Sequence, residues 1–385
     1  MKFLKKFFKW LAIVLASIIV LLYIFDVDYL LRAVRTIYFR GYTTAFLEDY
    51  THFPNREIKK GVAQPWHLAK DYNTIPATQT LENTHKELKT AAFLIIKNDS
   101  IVHESYFDGY TKDSKSNSFS MAKSVVTMAL GKAIMEGKIK SLDQKVIDFY
   151  PELKGAFAQE VTVGDLSSMA SGLSWDEKYY SPFSIVTRAY FDDDLKKVIL
   201  GLEINEKPGQ SFKYLSGATQ LLAMCIEKAT GEYLSDYVSK HFWQPLGAEN
   251  EALWQLDHAP DGIEKAYCCI ASNARDFARL GKLYLNNGQW NGKTILDSTF
   301  VQQCITPRFP ESPQYGYGFW MHTINNKKLF YLRGHLGQFV IVVPEDNLII
   351  VRLGHIKGVQ TTTDPHSNDL YTYVEESYNI LAKRK

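Results

Sequence analysis

The sequence predicts an α+β fold: one antiparallel sheet flanked by helices, with a mainly helical lobe inserted into it. Three observations carry this. Two apolar runs, Ala91–Ile96 and Ile101–Phe107, are joined by the turn Lys97-Asn98-Asp99-Ser100 and read as a hairpin. From Ser120 to about residue 305 the spacing is mainly helical. Strand runs then return between Tyr315 and Leu353, and a helix closes the chain. Strands from both ends would share one sheet, with residues 135–310 as a second lobe and a cleft between the two.

The chain has 385 residues, 46% of them hydrophobic, enough for one large domain or two lobes. Its net charge of +2, and the lack of a basic helix with interleaved aromatics beyond the N-terminus, give no support for a nucleic-acid partner. Lys2, Lys5, Lys6 and Lys9 precede an uncharged run from Trp10 to Phe25. That run is short for a spanning helix and long for the core of a signal peptide. Phe7 and Phe8 extend it if Lys9 snorkels. No Ala-x-Ala site follows and no cysteine sits there to be lipidated, so an uncleaved anchor is expected rather than a cleaved signal. Residues 1–9 then form a cytoplasmic tail and 10–25 a single span of the cytoplasmic membrane. The rest lies on the outer side, although Arg32, Arg35 and Arg40 pull against that orientation.

Residues 26–87 read as a juxtamembrane connector. Tyr29–Arg35 fits a short amphipathic helix on the membrane surface. Pro54-Asn55, Pro65-Trp66 and Pro76 mark extended or turning chain. The globular domain is placed at 88–385. After the hairpin, the turn-rich stretch Asp113–Ser118 precedes a helix whose apolar face is Val125, Met128, Ala129, Ala133 and Ile134. Val161–Leu166 starts a short helix that stops at Ser171-Gly172-Leu173. Ala218–Ala229 is a helix ended by Thr230-Gly231, and Ser272–Leu285 one ended by Asn286-Asn287-Gly288. Tyr315–Trp320, Lys328–Arg333, Phe339–Val343 and Leu348–Leu353 fit successive strands. Pro344–Asn347 makes the last two a hairpin, and Asn368–Lys385 is the closing helix. The four cysteines, Cys225, Cys268, Cys269 and Cys304, have no zinc-site spacing and are expected to pack in the core. Adjacent Cys268 and Cys269 are poorly placed to pair with each other, while one disulfide stays open for an exported domain. No metal and no cofactor is expected.

The chemistry centres on Ser120-Met121-Ala122-Lys123. Side chains three apart leave one face of a helix's first turn. Serine needs a neighbouring base, and a lysine serves only if its pKa is pulled down. The helix start offers N–H groups to an oxyanion. A second candidate is Tyr214 with Ser216, after the Pro208-Gly209 turn. Tyr214 near lysine charge would lose its proton more easily and carry protons between groups. Tyr179-Tyr180-Ser181, Tyr233-Leu234-Ser235 and Tyr284-Leu285-Asn286 share that weak pattern but look like surface or core tyrosines. The third is Arg333–Gln338, directly before a strand. Its glycines would let a substrate lie against a strand edge. The Gln338 N–H would face an oxyanion with that of Ser120, and His335 would donate to substrate. Trp175, Tyr267 and Trp320 are candidate pocket walls.

Ser120-Met-Ala-Lys123, Tyr214-Leu-Ser216 and His335-Leu-Gly337 come in the order and rough spacing of three motifs of the serine β-lactamase and penicillin-binding-protein superfamily. The chain most resembles its class C, esterase and 6-aminohexanoate-dimer hydrolase branch, over residues 88–385. Val161–Leu166, Ser171-Gly-Leu173 and Val343-Pro344-Glu345 support the match. The resemblance implies a β-lactamase/transpeptidase-like fold, with Ser120 acylated and Lys123 and Tyr214 passing protons. It implies an oxyanion hole from Ser120 and Gln338, with Ser216, His335 and Gly337 binding substrate. A separate deacylating glutamate is not identified. Ser216 stands where β-lactamases usually carry asparagine, and His335, only partly charged near neutrality, where they usually carry lysine. Both departures point from β-lactams towards small ester, amide or short-peptide substrates. The expected function is thus a membrane-anchored serine hydrolase. The alternatives are a noncatalytic penicillin-binding-like sensor and a true β-lactamase or D,D-peptidase.

Overall fold

A computed structural model describes residues 2–384. Helix α1 (Lys2–Ile24) stands clear of the rest, with none of its residues buried. Helix α2 (Tyr29–Thr36) follows, then strands β1 (Asn55–Ile58) and β2 (His67–Leu68) and helix α3 (Gln79–Glu87). The hairpin is β3 (Thr90–Lys97) and β4 (Ser100–Tyr106). Short β5 (Ser116–Asn117) leads through a 3-10 turn into α4 (Ala122–Met135). The inserted section holds α5 (Val163–Ser167), α6 (Ile185–Phe191), α7 (Leu195–Leu200), α8 (Ser216–Thr230), α9 (Leu234–Val238), β6 (Ala252–Gln255), β7 (Ile270–Ser272), α10 (Ala274–Leu285), the ribbon β8 (Gln289–Trp290) with β9 (Lys293–Thr294), and α11 (Ser298–Cys304). Strands β10 (Trp320–Ile324), β11 (Lys327–Gly334), β12 (Gln338–Val343) and β13 (Leu348–Gly354) and helix α12 (Asn368–Leu381) complete the chain.

The main sheet runs β10-β11-β12-β13-β3-β4-β2, so both ends of the chain do build one sheet. Only β2 against β4 is parallel. Its strands are apolar on both faces because both are covered. Leu94, Ile96, Val340, Val342, Ile349 and Val351 face the large core shared with α4 and α10. Phe93, Ile95, Ile341, Val343 and Ile350 face Leu81 of α3 and Leu370, Tyr373 and Val374 of α12. Continuous apolar runs are what two-faced burial requires. Gly281 lets α10 lie close on the sheet, since a Cβ there would sit 2.9 Å from Val340 and Val342. Helix starts follow local chemistry: Thr78, Ser184, Asp194, Asn273 and Asp297 each accept a backbone N–H two or three residues into α3, α6, α7, α10 and α11.

Four features differ from the sequence expectation. The section after Ser120 is not helical throughout: its strands β6 and β7 join β1 and β5, from before Ser120, in a second sheet ordered β1-β6-β7-β5. Its strands, of two to four residues, are too short to show a period. Tyr315–Phe319 turns before β10 rather than forming the strand itself. Residues 26–87 pack on the domain instead of merely connecting: Phe46, Leu47, Phe53, Ile58, Trp66 and Leu81 are all buried. The inner face of α2, with Tyr29 and Ala33, is buried against the protein, while Leu31 and Val34 on the helix are exposed. Finally, Cys268 and Cys269 are joined to each other. The left-handed backbone at Cys269, φ 78°, turns adjacent side chains together where strand geometry would point them apart. Cys225 and Cys304 are buried and free.

Candidate active site

The nucleophile turn is built by the small sheet. Ser116 and Asn117 pair with Ser272 and Ala271, and the Ser118 N–H donates to the Ile270 carbonyl at 2.7 Å. The Phe119 N–H donates to Asn117 Oδ1 at 2.8 Å. These bonds hold Phe119 at φ 46°, a conformation that costs a bulky residue roughly 1–3 kcal/mol and persists only where its surroundings impose it. Asn117 is itself tied to the N-terminal segment: its Nδ2 donates to Asp49 Oδ1 at 2.9 Å. Buried Asp49 also accepts from Tyr190 Oη at 2.6 Å and Gln255 Nε2 at 3.0 Å.

Ser120 follows in the 3-10 turn, and Lys123 lies in the first turn of α4. Lys123 Nζ donates to Ser120 Oγ at 2.9 Å and to the Tyr267 carbonyl at 2.7 Å. The amine is fully buried. Loss of hydration pulls its pKa down to about 7, and the nearby Glu177 carboxylate opposes the shift. Near neutrality a large share of Lys123 is therefore a free amine within reach of the serine proton. The Tyr214 ring lies 5.1 Å from Nζ. Burial and then Glu177 push its phenol well up, while Ser120 and Arg333 partly offset the rise. This corrects the expectation that Tyr214 loses its proton easily. The depressed group is the lysine, and the tyrosine keeps its proton.

His335 also departs from expectation. Burial, helped by Lys357, lowers it to about 4, so the ring is neutral at neutral pH. It stacks on Tyr179 (5.5 Å, 12°) and meets the edge of Phe119 at 5.6 Å. Its Nε2 is buried and, among the described residues, has no partner. Ser216 opens α8, and both its N–H and its hydroxyl bond to the Glu177 carboxylate, the hydroxyl at 3.2 Å. Trp175 Nε1 donates to the same carboxylate at 3.0 Å.

Ser120 sits where two cavities meet. One is polar, lined by Ser120, Tyr214, Trp320, Arg333, Gly334, Lys357 and Gln360. The other is more apolar and includes Phe119, Tyr190, Tyr267, Cys268, Ala33 of α2 and Ile37 just after it. Tyr179 and His335 line both. Strand β11 outruns β10, whose pairing ends at Trp320↔Tyr331, leaving Leu332–Gly334 with an open edge on the cleft. Gly337, expected at the site, lies instead against Arg352 and Asp369; Gly334 lines the cleft. A Cβ at Gly334 would stand 2.1 Å from the Ser118 carbonyl. Gly334→Ala is therefore expected to push the nucleophile turn away and lower kcat/KM by about 10²-fold, the usual cost of misplacing a reacting group by an ångström. A crystal structure of the variant with Ser118 unmoved would contradict this.

Sequence reasoning placed Ser120, Lys123, Tyr214, Ser216 and His335, which the fold brings together. It named Arg333 only as the start of the third stretch, set Tyr179 aside as a surface or core tyrosine, and missed Glu177 and Lys357. Tyr267 and Trp320 do wall the cavities, whereas Trp175 is core, packed against Gly217. Gln338 is buried opposite Gly334, its side-chain amide bonded to the Gly354 and His335 carbonyls at 2.7 and 3.0 Å.

Residues 77–369 match the family described as Beta-lactamase. The chain is 27% identical over 297 residues to the 6-aminohexanoate-dimer hydrolase of Paenarthrobacter ureafaciens, covering 71% of this chain and 74% of that one. In fold it is similar to a putative 6-aminohexanoate-dimer hydrolase from Bacillus anthracis, with TM-score 0.69, 23% identity, and 86% and 92% of the two chains covered. A D-stereospecific amidohydrolase from Streptomyces sp. has TM-score 0.57, 16% identity, and 72% and 93% covered.

Proposed function

The chain belongs to the Beta-lactamase family, and from that premise we propose that it is a membrane-anchored serine hydrolase that cleaves small ester or amide substrates through an acyl-enzyme on Ser120. The observation that carries this is the 2.9 Å bond between Ser120 Oγ and a lysine brought down to about 7. Neutral Lys123 takes the serine proton as Oγ attacks the substrate carbonyl. The Ser120 N–H holds the oxyanion; Gln338, expected to share that task, is buried and lines neither cavity at Ser120. Tyr214, still protonated, gives a proton to the leaving oxygen or nitrogen as the bond to it breaks, and is reprotonated from Lys123. Water then attacks the acyl-serine by the reverse transfers. The polar cleft with Arg333 and Lys357 suits the leaving portion. Neutral His335 brings no charge to a β-lactam carboxylate, leaving Arg333 and Lys357 to meet one, and Ser216 brings no side-chain amide, which disfavours that substrate.

The anchor reading rests on α1, which is long and apolar enough to cross a membrane and has no buried residue. Lysines before it favour a cytoplasmic tail, with the domain outside.

The test is labelling. The purified full chain in detergent is treated with a fluorophosphonate and, separately, with a fluorescent penicillin, then analysed by intact mass and peptide mapping. Fluorophosphonate on Ser120 is the expected result. Penicillin on the same residue would shift the substrate towards D-peptides. No adduct from either probe would overturn the catalytic reading in favour of a noncatalytic sensor.

A further inference from the structure

We propose that the apolar chamber beside Ser120 takes the hydrocarbon chain of a bilayer-derived acyl ester or amide, entering from the membrane surface beside the anchor. The proposal rests on the hydrolase and anchor readings and narrows the substrate to one with a long acyl chain.

The first argument is who builds the wall. One side of the chamber is α2 and its C-terminal end, through Ala33 and the capping residue Ile37. This helix begins only five residues after the end of α1 at Ile24. Its inner face is buried, and Asp26 pairs with Arg188 of α6 (2.5 Å) and Lys197 of α7 (3.3 Å). Exposed pairs of this kind add little energy singly. Together with the buried face they fix the wall to the point where the chain leaves the bilayer. The chamber thus runs between the nucleophile and the membrane end of the domain.

The second argument is the lining. Among the described residues no Asp, Glu, Lys or Arg lines this chamber, and the histidine that does, His335, is neutral. The ionised groups, Arg333 and Lys357, are confined to the opposite cleft. A charged group would lose its hydration in the chamber with no opposite charge in return, whereas methylenes gain by entering.

The third argument is the rim. Tyr38 and Tyr180 line the chamber yet are 52% and 70% exposed. Near them in sequence, Phe39 and Phe183 are 81% and 75% exposed. Exposed aromatic rings on the segments that line an apolar chamber fit the boundary between headgroups and acyl chains. Arg35 and Arg40 in the same segment suit anionic headgroups.

The experiment uses the full chain in detergent and p-nitrophenyl acetate, butyrate, octanoate and dodecanoate, each below its micelle concentration. Each methylene that enters the chamber adds at most about fourfold to kcat/KM. We expect octanoate to exceed acetate by at least about tenfold, with the gain levelling off once the chamber is full. Ala33→Phe on α2 and Val186→Phe on α6 each narrow the chamber and should cut the octanoate-to-acetate ratio about tenfold, with folding checked by thermal melt. The two variants sit on separate elements, so one that fails to fold leaves the other to decide. Fluorophosphonate labelling of Ser120 separates the failures. Labelling with acetate preferred by the wild type overturns the chain proposal and leaves the hydrolase standing. Chain preference that survives narrowing places the chain elsewhere and also overturns it. No labelling and no ester turnover overturns the hydrolase reading itself.

Discussion

Replacing Ser120 with alanine is expected to lower kcat/KM on an activated ester by about 10⁶-fold, with Lys123→Met close behind and the double variant no worse than either. The near-equality follows from the geometry. Ser120 Oγ and Lys123 Nζ share one hydrogen bond, so removing the base leaves a hydroxyl too weak to attack, and removing the hydroxyl leaves a base with nothing to activate. Additive losses would mean that the two act in separate steps. The pH profile gives an independent reading. Protonated Lys123 cannot accept the serine proton, so kcat/KM in the wild type should rise with pH through about 7. No such limb is expected from His335, which is already neutral there. Stability should move too. The folded lysine sits at about 7 against 10.5 when solvated. Between those values the unfolded chain binds the extra proton, so wild-type stability falls as pH drops from 10 to 7. Lys123→Met lacks that proton, so it should gain on the wild type in thermal melts over that range. A constant difference would mean that the amine is not desolvated.

What was legible in the sequence was local. Ser120 and Lys123 are neighbours because three residues make one helical turn, and the sheet was readable because strands covered on both faces are continuously apolar. Parts that depend on tertiary placement were not. Tyr179 carries no local sign of its role: it reaches His335 only because the loop before α6 folds back over the cleft. Gly334 and Gly337 look interchangeable in sequence. Hairpin register decides between them, pairing Gly334 with Gln338 and turning Gly337 towards Arg352. Protonation was misjudged for the same reason. Tyr214 and His335 were read as if solvated, and burial moves both towards their neutral forms. The pairing of Cys268 with Cys269 needed a left-handed backbone that nothing in a Cys-Cys dipeptide announces.

The stretch 26–87 has the largest consequence for folding. A chain beginning at residue 26 should fold and label on Ser120, whereas one beginning at residue 88 should not fold. Its prolines hide its weight, because its apolar residues follow no period. Yet Phe46, Leu47, Phe53, Ile58, Trp66 and Leu81 are all buried. At about 1.5–3 kcal/mol each, their loss removes roughly 9–18 kcal/mol, as much as the net stability of about 5–15 kcal/mol typical of a domain. The loss is also directed at the site. Without Asp49, Asn117, Tyr190 and Gln255 keep buried donors with one acceptor fewer, and Asn117 is the residue that holds Phe119 in its left-handed turn. The nucleophile turn thus depends on a buried carboxyl group seventy-one residues upstream. Asp49→Ala in the full chain is the point version: it leaves neutral buried donors short of an acceptor, so it should destabilise by about 1–3 kcal/mol for each donor left unpaired in urea melts and weaken labelling of Ser120 in parallel. Should the chain from residue 88 melt cooperatively near the temperature of the longer one, the segment is dispensable and the dependence of Ser120 on Asp49 falls with it.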